Sequence, residues 1–459
     1  MKKWPIQCAV NGRKKTVQVH IWDFGGQEIY HATHQFFLTP KSIYLFVWEA
    51  RREEHYRDFD YWFSVINLLS DDSPILVVMN KSDERTKEID HFSLQEKYPN
   101  IVGFYRISCL TDDGVQELTD KIIEIASGLS HIGDVWPGVW VDVRNQIEVK
   151  KCDYIHFSGF KKLCQAHGLN ETNTKFLSAY LHQLGVLLHF QDDKILKNTV
   201  ILDPEWGTDA IYQVLDTRQV QDQKGTFSFQ ELETIWDSQK YPSEKHIELL
   251  QLMIKFELCF QIQDSENYIV PELLPAERVA YNWTTTDNLC FEYHFPFMPA
   301  GILSRFIARN HAIIHANCYW KNGVILERDK SRALVIDLPL DRKIKIAIDG
   351  PFKRELLGMI RNEFDLIFKS LNNIAVDEMI PCFCEVCRED AKNPHLFNYA
   401  TIKKFIEKGK KVIPLKKVQR TSIYMNWSEA SAKRKIQTKT LCGDTCIFTR
   451  CISKVNRSM

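Results

Sequence analysis

Short apolar runs alternate with helical patterns over about the first 130 residues of the chain. Ser42–Trp48 and Pro74–Asn80 are almost continuously apolar, as expected for strands that are buried on both faces of a sheet. Val17–Asp23 and Ile101–Ser108 have the composition of two further strands, and Tyr56–Leu69 carries apolar residues at helical spacing. This alternation predicts a parallel α/β sheet.

The middle of the chain combines helices with short strands. Helical spacing covers Trp140–Val149, Phe157–His167 and Thr174–Leu184, and Val200–Leu202 and Tyr268–Val270 are short strand candidates. This order predicts a winged-helix-like unit. Winged helices often bind DNA, but the formal net charge of zero and the lack of a basic recognition helix favour packing against protein.

From about Leu289 the pattern changes to alternating strands followed by a long amphipathic helix, which predicts a mixed sheet with packed helices. Arg305 and Arg309 lie four residues apart on one predicted helix, and we favour an intramolecular pairing role over a functional contact. The predicted elements are strands at Leu289–Phe295, Gly323–Glu327, Ala333–Asp337 and Lys343–Ile348 and a helix at Lys353–Leu371.

The composition excludes several classes of protein. The 459 residues include 59 basic and 59 acidic side chains, so there is no overall charge to attract nucleic acid or an anionic membrane. No apolar run approaches the roughly 20 residues that a membrane span needs. The 13 cysteines argue against a disulfide framework and indicate a reducing, cytoplasmic compartment. We therefore expect neither a nucleic-acid partner nor a membrane span.

A polar loop follows each of three predicted strands, and the first of these loops has groups suited to phosphate and metal. Asp23 at the strand end can hold Mg²⁺, usually through water because this ion keeps most of its hydration shell. Gly26 would let a backbone N–H approach a terminal phosphate, and Gln27 could orient an attacking water. A lone Asp-x-x-Gly is more often only a turn.

The second and third loops carry groups that can recognise guanine. Asp83 can accept two hydrogen bonds from the N1–H and the exocyclic amine of guanine, which adenine cannot supply. The Lys81 stem can cover the plane of the base, and Asn80 can tie the loops together. The third loop consists of Ser108, Cys109 and Leu110. It would place a backbone N–H against the guanine carbonyl oxygen.

The order of these loops favours a guanine-nucleotide fold, because open α/β sheets bind ligands at the carboxyl ends of their strands. The series WDFGGQE, NKSD and SCL resembles a Ras-like G domain. The longer string WDFGGQEIYHATHQFFL resembles the Roc domain of Roco proteins, in which a COR domain follows directly. The resemblance to Roc covers about the first 130 residues.

The later sequence resembles the two halves of a COR domain. The segments LGVLLHFQ and ELLQLMIKFELCFQI are similar to its N-terminal half, and the strands and long helix after Leu289 are similar to its C-terminal half. The implied fold is an incomplete Ras-like P-loop NTPase fold followed by a mixed α+β COR region, and the family implies a homodimer formed through the C-terminal half of COR. The implied domains are a truncated Roc domain at 1–128, a linker at 129–139, the two halves of COR at 140–275 and 276–415, and a divergent tail at 416–459.

The sequence contains no G-x-x-x-x-G-K-[ST] phosphate-binding string, and in Roc domains this loop and switch I precede the DFGG segment. Only 22 residues precede Asp23, so we expect a fragment or truncated product of a longer Roco protein. Losing several charge-assisted bonds, worth roughly 1.5–3 kcal/mol each, would weaken nucleotide binding by orders of magnitude. We also expect the missing strand to lie between those ending at Trp48 and Asn80, which would leave two apolar edges unpaired.

The resemblance implies a parent GTPase that binds GTP or GDP with Mg²⁺. In that parent, Asp23 would assist the metal, Gln27 would position water, and Asn80, Lys81 and Asp83 would read guanine. We expect this chain alone to be inactive without a phosphate loop. The alternative is a non-catalytic dimerisation or scaffold module that binds no nucleotide. The sequence does not indicate the effector protein.

A cysteine cluster is a second candidate site. Cys382, Cys384 and Cys387 are close enough to bind zinc, but structural zinc sites need four ligands. His395 is a candidate fourth ligand. COR domains often carry a further Cys near the end of this segment. Pro414 and Leu415 occupy that place in this sequence, so we favour reduced structural cysteines.

The tail from about Lys416 is first basic and then rich in cysteine, and it shows neither clear periodicity nor a family resemblance. We expect it to be disordered or poorly packed, with a metal site at Cys442, Cys446 and Cys451 as the less favoured alternative.

Overall fold

The computed structural model describes residues 2–10, 13–23, 42–51, 55–70, 72–129, 132, 136–150, 152–283, 287–382, 387, 394–408, 412–414 and 422–424. The chain divides into two compact units with separate sheets. Unit 1 consists of Met1–Leu273 and Pro299–Gly301, and unit 2 of Leu274–Met298 and Ile302–Met459.

The N-terminal part of unit 1 contains a three-stranded parallel sheet with helices on both faces, which confirms the α/β pattern for three of the four predicted strands. The prediction is wrong for Val17–Asp23, whose strand lies in a separate antiparallel hairpin. Its central strand is buried because Ile75, Val77 and Met79 face one set of helices and Leu76 and Val78 face another helix. The elements are β1 (Lys2–Val10), β2 (Arg13–Ile21), β3 (Tyr44–Glu49), α1 (His55–Leu69), β4 (Ile75–Asn80), α2 (His91–Lys97), β5 (Ile101–Arg106) and α3 (Val115–Gly128).

The predicted position of the missing strand is wrong. Strands β3 and β4 pair directly in parallel along their whole length, from Tyr44 opposite Ile75 to Glu49 opposite Asn80. Because β5 pairs on the other side of β4, the central strand has no free edge. The two runs are of equal length and almost wholly apolar, so they satisfy each other's backbone groups without a strand between them.

One outer edge of the parallel sheet is the edge of β3 that faces away from β4. Strands β1 and β2 form an antiparallel hairpin of their own, which packs through Ile6 and Cys8 against Ala126 of α3. No strand among the described residues pairs with the outer edge of β3. On this strand the side chains of Leu45 and Val47 are 41% and 54% exposed.

The second part of unit 1 is mainly helical, and the predicted helices and short strands are confirmed to within three residues. Asp203 caps the helix that starts at Pro204 by accepting a hydrogen bond from the Glu205 N–H at 3.1 Å, and the ring of Pro204 fits the first helical position. Trp206 of this helix and Trp236 are buried in the hydrophobic core of this part of the chain. The elements are α4 (Gly138–Val149), β6 (Tyr154–His156), α5 (Phe157–Ala166), α6 (Glu171–Gln183), β7 (Thr199–Ile201), α7 (Pro204–Asp216), α8 (Arg218–Asp222), β8 (Thr226–Ser228), α9 (Leu232–Ile235), α10 (His246–Lys255), β9 (Phe260–Gln261) and β10 (Asn267–Ile269), with single 3₁₀ turns at Leu196–Asn198, Ser243–Lys245 and Pro271–Leu273.

Unit 2 is built on one seven-stranded sheet. Every pairing in it is antiparallel, so the predicted mixed sheet is corrected in this respect. Short turns such as the one between Arg328 and Ser331 permit only antiparallel neighbours. The elements are β11 (Leu289–His294), α11 (Ile302–Arg309), β12 (Ile314–Trp320), β13 (Gly323–Arg328), β14 (Ser331–Leu338), β15 (Lys343–Asp349), α12 (Lys353–Ser370), β16 (Asp377–Pro381), β17 (Leu396–Asn398), α13 (Tyr399–Glu407), β18 (Val412–Pro414) and β19 (Ser422–Tyr424), with 3₁₀ turns at His311–Ile313 and Pro339–Asp341. The strand order in the seven-stranded sheet is β12-β13-β14-β15-β11-β16-β17.

The two arginines of α11 have the intramolecular role that we favoured. Arg305 is buried and donates to the Ser370 hydroxyl at 3.2 Å, and Arg309 pairs with Glu363 of α12 at 2.8 Å. Both contacts hold α11 against α12. In the part of the chain that the structure describes, none of the helices has the length and apolar composition that crossing a membrane requires.

Candidate nucleotide-binding site

The carboxyl ends of β4 and β5 lie side by side, and main-chain hydrogen bonds join the loops that follow them. The Ile107 N–H donates to the Met79 carbonyl at 2.8 Å, and the Ser82 N–H donates to the Ile107 carbonyl at 3.1 Å. The second and third polar loops therefore meet at one edge of the sheet, as the sequence predicted. This edge is where parallel α/β sheets bind ligands.

The side chain of Asn80 ties these two loops together. Its Oδ1 atom accepts a hydrogen bond from the Lys81 N–H at 2.8 Å and another from the Cys109 N–H at 3.2 Å. The predicted role of Asn80 as a link between loops agrees with this geometry. One amide oxygen thereby sets the spacing between the end of β4 and the loop after β5.

Asp83 lies on a tight turn that begins with an unusual backbone conformation. Lys81 has a φ angle of 58°, in the left-handed region, and its carbonyl accepts from the N–H groups of Glu84 at 3.1 Å and Arg85 at 3.3 Å. The Asp83 side chain is exposed and has no hydrogen-bond or ion-pair partner among the described residues. Its carboxylate is thus available to a ligand at this edge.

The third loop is held by Ser108, which is buried. Its N–H donates to the Asp113 carbonyl at 3.0 Å, and its hydroxyl accepts from the Thr111 N–H at 3.3 Å. Cys109 and Leu110 are exposed beyond it. The loop therefore has a fixed base and an accessible tip.

Sequence reasoning missed Gly114, which closes the third loop at the start of α3. Its φ angle is +68°, and a Cβ atom at this position would lie 2.2 Å from the Arg106 carbonyl oxygen. Only glycine fits such a position without a shift of the backbone. The signal was present in the sequence, because Gly114 follows two aspartates and directly precedes a helical pattern.

The sequence also did not reveal the ion pairs that surround the second loop. The Lys81 Nζ atom lies 2.7 Å from Glu49 Oε1, and the Arg51 Nη1 atom lies 2.9 Å from Glu84 Oε2. Glu49 is the last residue of β3 and Arg51 lies just after the strand, and no nucleotide-binding motif includes either residue. Local sequence patterns do not predict such pairs, because the two residues of each pair are about 30 positions apart in the sequence.

The first loop is only partly described. Asp23 is exposed and follows β2, so it belongs to the hairpin sheet and not to the parallel sheet. Its carboxylate has no partner among the described residues. Gly26 and Gln27 lie outside the described residues. The geometry therefore brings together the two loops predicted to read the base, and it does not test the predicted phosphate and water contacts.

The cysteine cluster is also only partly described. Cys382 is buried, and its N–H donates to the His395 carbonyl at 2.8 Å, so these two residues are neighbours through their backbones. Burial lowers the pKa of His395. Cys384 lies outside the described residues, as do Cys442, Cys446 and Cys451. The described part of the chain holds no group of three or more potential metal-binding side chains.

Family models match three consecutive parts of the chain. Residues 1–83 match Roc, described as "Ras of Complex, Roc, domain of DAPkinase", residues 137–274 match the "C-terminal of Roc, COR-A domain", and residues 286–443 match the "C-terminal of Roc, COR-B domain". A solved structure of Methanosarcina barkeri Roco2 RocCORdC bound to GDP is 36% identical, covers 60% of this chain and 84% of its own, and superposes with a TM-score of 0.50. The chain belongs to the Roco family.

Two curated Roco relatives are similar over most of this chain. A probable serine/threonine-protein kinase, pats1, of Dictyostelium discoideum is 28% identical over 83% of this chain, and a Roc-COR-CHAT protease of Runella zeae is 30% identical over 67%. The chain spans only 13% and 34% of the lengths of these two relatives. The COR-B match extends to residue 443, so it corrects our expectation that the tail after Lys416 has no family resemblance.

Proposed function

We propose that this chain supplies the guanine-recognising part of a longer Roco GTPase. The observation that carries the proposal is the Asn80 oxygen, which joins the second and third loops and leaves the Asp83 carboxylate exposed beside them. A carboxylate in this place can accept from the N1–H and the exocyclic amine of guanine. The Leu110 N–H of the third loop would donate to the guanine carbonyl oxygen, since the N–H groups of Ser108 and Cys109 already donate to Asp113 and Asn80.

The remaining roles follow from the same proposal. The exposed Asp23 carboxylate suits Mg²⁺, which prefers oxygen ligands and would be held here through water. When bound with GTP, this ion would neutralise charge on the phosphates. Gly26 would admit a phosphate close to its N–H, and Gln27 would orient the attacking water. The GDP bound to the related Roco2 protein supports a guanine nucleotide as the ligand.

A matched pair of variants tests guanine recognition. A fluorescent GDP analogue with Mg²⁺ is titrated into this chain and into the longer protein, with unlabelled ADP as a competitor. Asp83→Asn replaces a carboxylate oxygen by an amide donor, and Asp72→Asn makes the same change on an exposed turn at the opposite end of β4. In the longer protein we expect GDP binding that ADP does not displace and that is lost in Asp83→Asn and kept in Asp72→Asn, whereas this chain alone should bind GDP far more weakly. Equal binding by the two variants would contradict the proposal.

We also propose that the protein is a cytoplasmic homodimer assembled through COR. The proposed domain boundaries are those that the sequence predicted up to residue 275, and the C-terminal half of COR continues beyond residue 415. The COR-B match supports the choice of interface, and an odd number of cysteines, 13, scattered through a long chain fits a reducing compartment. Sedimentation should give twice the 53.8 kDa of one chain. A dimer that binds neither GDP nor ADP would fit the alternative function, a non-catalytic scaffold module. A monomer at all concentrations would contradict the dimer.

A further inference from the structure

Two ion pairs connect the end of β3 to the turn that carries Asp83. Glu49 pairs with Lys81 at 2.7 Å, and Arg51 pairs with Glu84 at 2.9 Å. The signs alternate, because each side of the connection contributes one acidic and one basic side chain. Lys81 and Glu84 are also the residues joined by the main-chain hydrogen bond of the turn.

The register of the parallel sheet makes these pairs a property of the fold. Glu49 lies opposite Asn80, so the chain leaves β3 and β4 at the same height. Neighbouring strands are about 4.8 Å apart, which brings the residues that follow them within reach of each other. Ser82 is held from the other side, where its N–H donates to Ile107 after β5.

We propose that Glu49 and Arg51 are positioning residues for guanine recognition. They hold the side chains of Lys81 and Glu84 against the end of β3, while the backbone of Ser82 is held by β5. The turn is thereby fixed on both sides, and the exposed Asp83 lies between the two paired residues. Neither residue belongs to a nucleotide-binding motif. The inference rests on the proposed guanine recognition and adds two residues to it.

The size of the effect follows from the exposure of the pairs. Arg51 and Glu84 are 62% and 34% exposed, and Lys81 and Glu49 are 48% and 25% exposed. Ion pairs with such exposure have modest strength, so removal of one pair should raise the dissociation constant for GDP roughly two- to fivefold. An effect of this size requires a rescue experiment to separate it from a general disturbance of the surface.

The pair of Arg51 and Glu84 permits such a rescue by exchange of charge. The affinity for GDP is measured in the longer protein for the single variants Glu49→Gln, Arg51→Glu and Glu84→Arg and for the double variant Arg51→Glu/Glu84→Arg. We expect weaker binding in each single variant and recovery in the double variant, with unchanged melting temperatures. The control Lys97→Gln removes another exposed ion pair, to Asp60 at 2.7 Å, at the other end of the sheet and should leave the affinity for GDP unchanged.

Hydrogen exchange tests the same inference without nucleotide. The N–H groups of Glu84 and Arg85 donate to the Lys81 carbonyl and should exchange several times faster in Glu49→Gln and Arg51→Glu. The double variant should restore slow exchange. Exchange unaltered in the single variants would overturn the inference, whether or not the chain binds GDP. Faster exchange with unaltered GDP affinity would also overturn the inference. If the unmodified longer protein does not bind GDP, the proposed guanine recognition is overturned, and with it the role of the ion pairs.

Discussion

Asn80 illustrates how one residue can organise two loops that are distant in sequence. Its Oδ1 atom has two acceptor positions, and the N–H groups of Lys81 and Cys109 occupy both. The Lys81 bond is local, whereas the Cys109 bond crosses 29 positions of the chain. The motif could be read from the sequence because its residues are adjacent, but the bond to Cys109 depends on the strand pairing.

Replacing Asn80 tests this link at the scale of one side chain. Asn80→Ala removes the acceptor of two hydrogen bonds, so the amides of Lys81 and Cys109 should exchange faster and stability should fall by about 1 kcal/mol. Asn80→Asp keeps an acceptor oxygen and is the matched control, with exchange close to the unmodified chain. Hydrogen exchange followed by NMR measures both variants. Slow exchange of Cys109 in Asn80→Ala would show that the side chain does not hold the third loop.

Gly114 provides a second prediction at the scale of a residue. In Gly114→Ala the new methyl group would meet the Arg106 carbonyl oxygen at 2.2 Å in a backbone with positive φ, so we expect a loss of roughly 2 kcal/mol. Gly128 on the same helix has nothing within 4 Å of an added Cβ atom, so Gly128→Ala should be neutral or slightly stabilising. The free energy of unfolding of both variants is measured by denaturant titration. Equal stabilities would contradict the predicted clash.

At the scale of elements, local periodicity predicted segments well and their arrangement poorly. The helix expected at Lys353–Leu371 is observed at Lys353–Ser370, because its apolar positions face the sheet at regular spacing. Helix α2 was missed because none of its residues is buried, so it carries no apolar stripe. The neighbours of β3 were also assigned wrongly, since a continuous apolar run does not specify which strand lies beside it.

Helix α6 and the segment after it contain two hydrogen-bonded histidines, His182 and His189, of which His182 must be neutral to keep its hydrogen bond. The Lys197 carbonyl lies 2.9 Å from His189 Nε2, so this nitrogen donates and Nδ1 accepts from the Ser178 hydroxyl at 2.6 Å. The Nδ1 atom of His182 accepts from the His189 N–H at 3.1 Å. Burial lowers the pKa of both imidazoles, and the nearby Lys255 lowers that of His182 further.

This arrangement predicts that the helical part of unit 1 is sensitive to acid. The unfolded chain binds protons at these imidazoles below its ordinary pKa of about 6.5, whereas the folded chain resists them, so stability falls as the pH drops below that value. Melting temperatures measured at about pH 7.5 and about pH 5.5 should fall less in His182→Gln than in the unmodified chain. His167→Gln, a half-buried histidine after α5, is the control. An equal fall in all three proteins would contradict the prediction.

At the scale of the whole molecule, the chain combines a Roc segment with both parts of COR, in the order that defines Roco proteins. The motifs identified the family because their residues are contiguous in the sequence, and for the same reason they allowed a prediction of the residues that read the base. The sequence did not reveal the ion pairs of Glu49 and Arg51, which depend on how strands pair. The predicted contacts of Gly26 and Gln27 remain predictions, since both residues lie outside the described part of the chain.

The most direct test of guanine recognition is an exchange of base specificity at Asp83. Asp83→Asn places one donor and one acceptor where the carboxylate offered two acceptors, which matches the carbonyl and the N–H of xanthine. Calorimetric titration of GDP and XDP into the longer protein, unmodified and as Asp83→Asn, measures the change. We predict that the variant loses GDP and gains XDP. Binding of GDP that is unaltered by the substitution would contradict the assignment of this edge as the site that reads guanine.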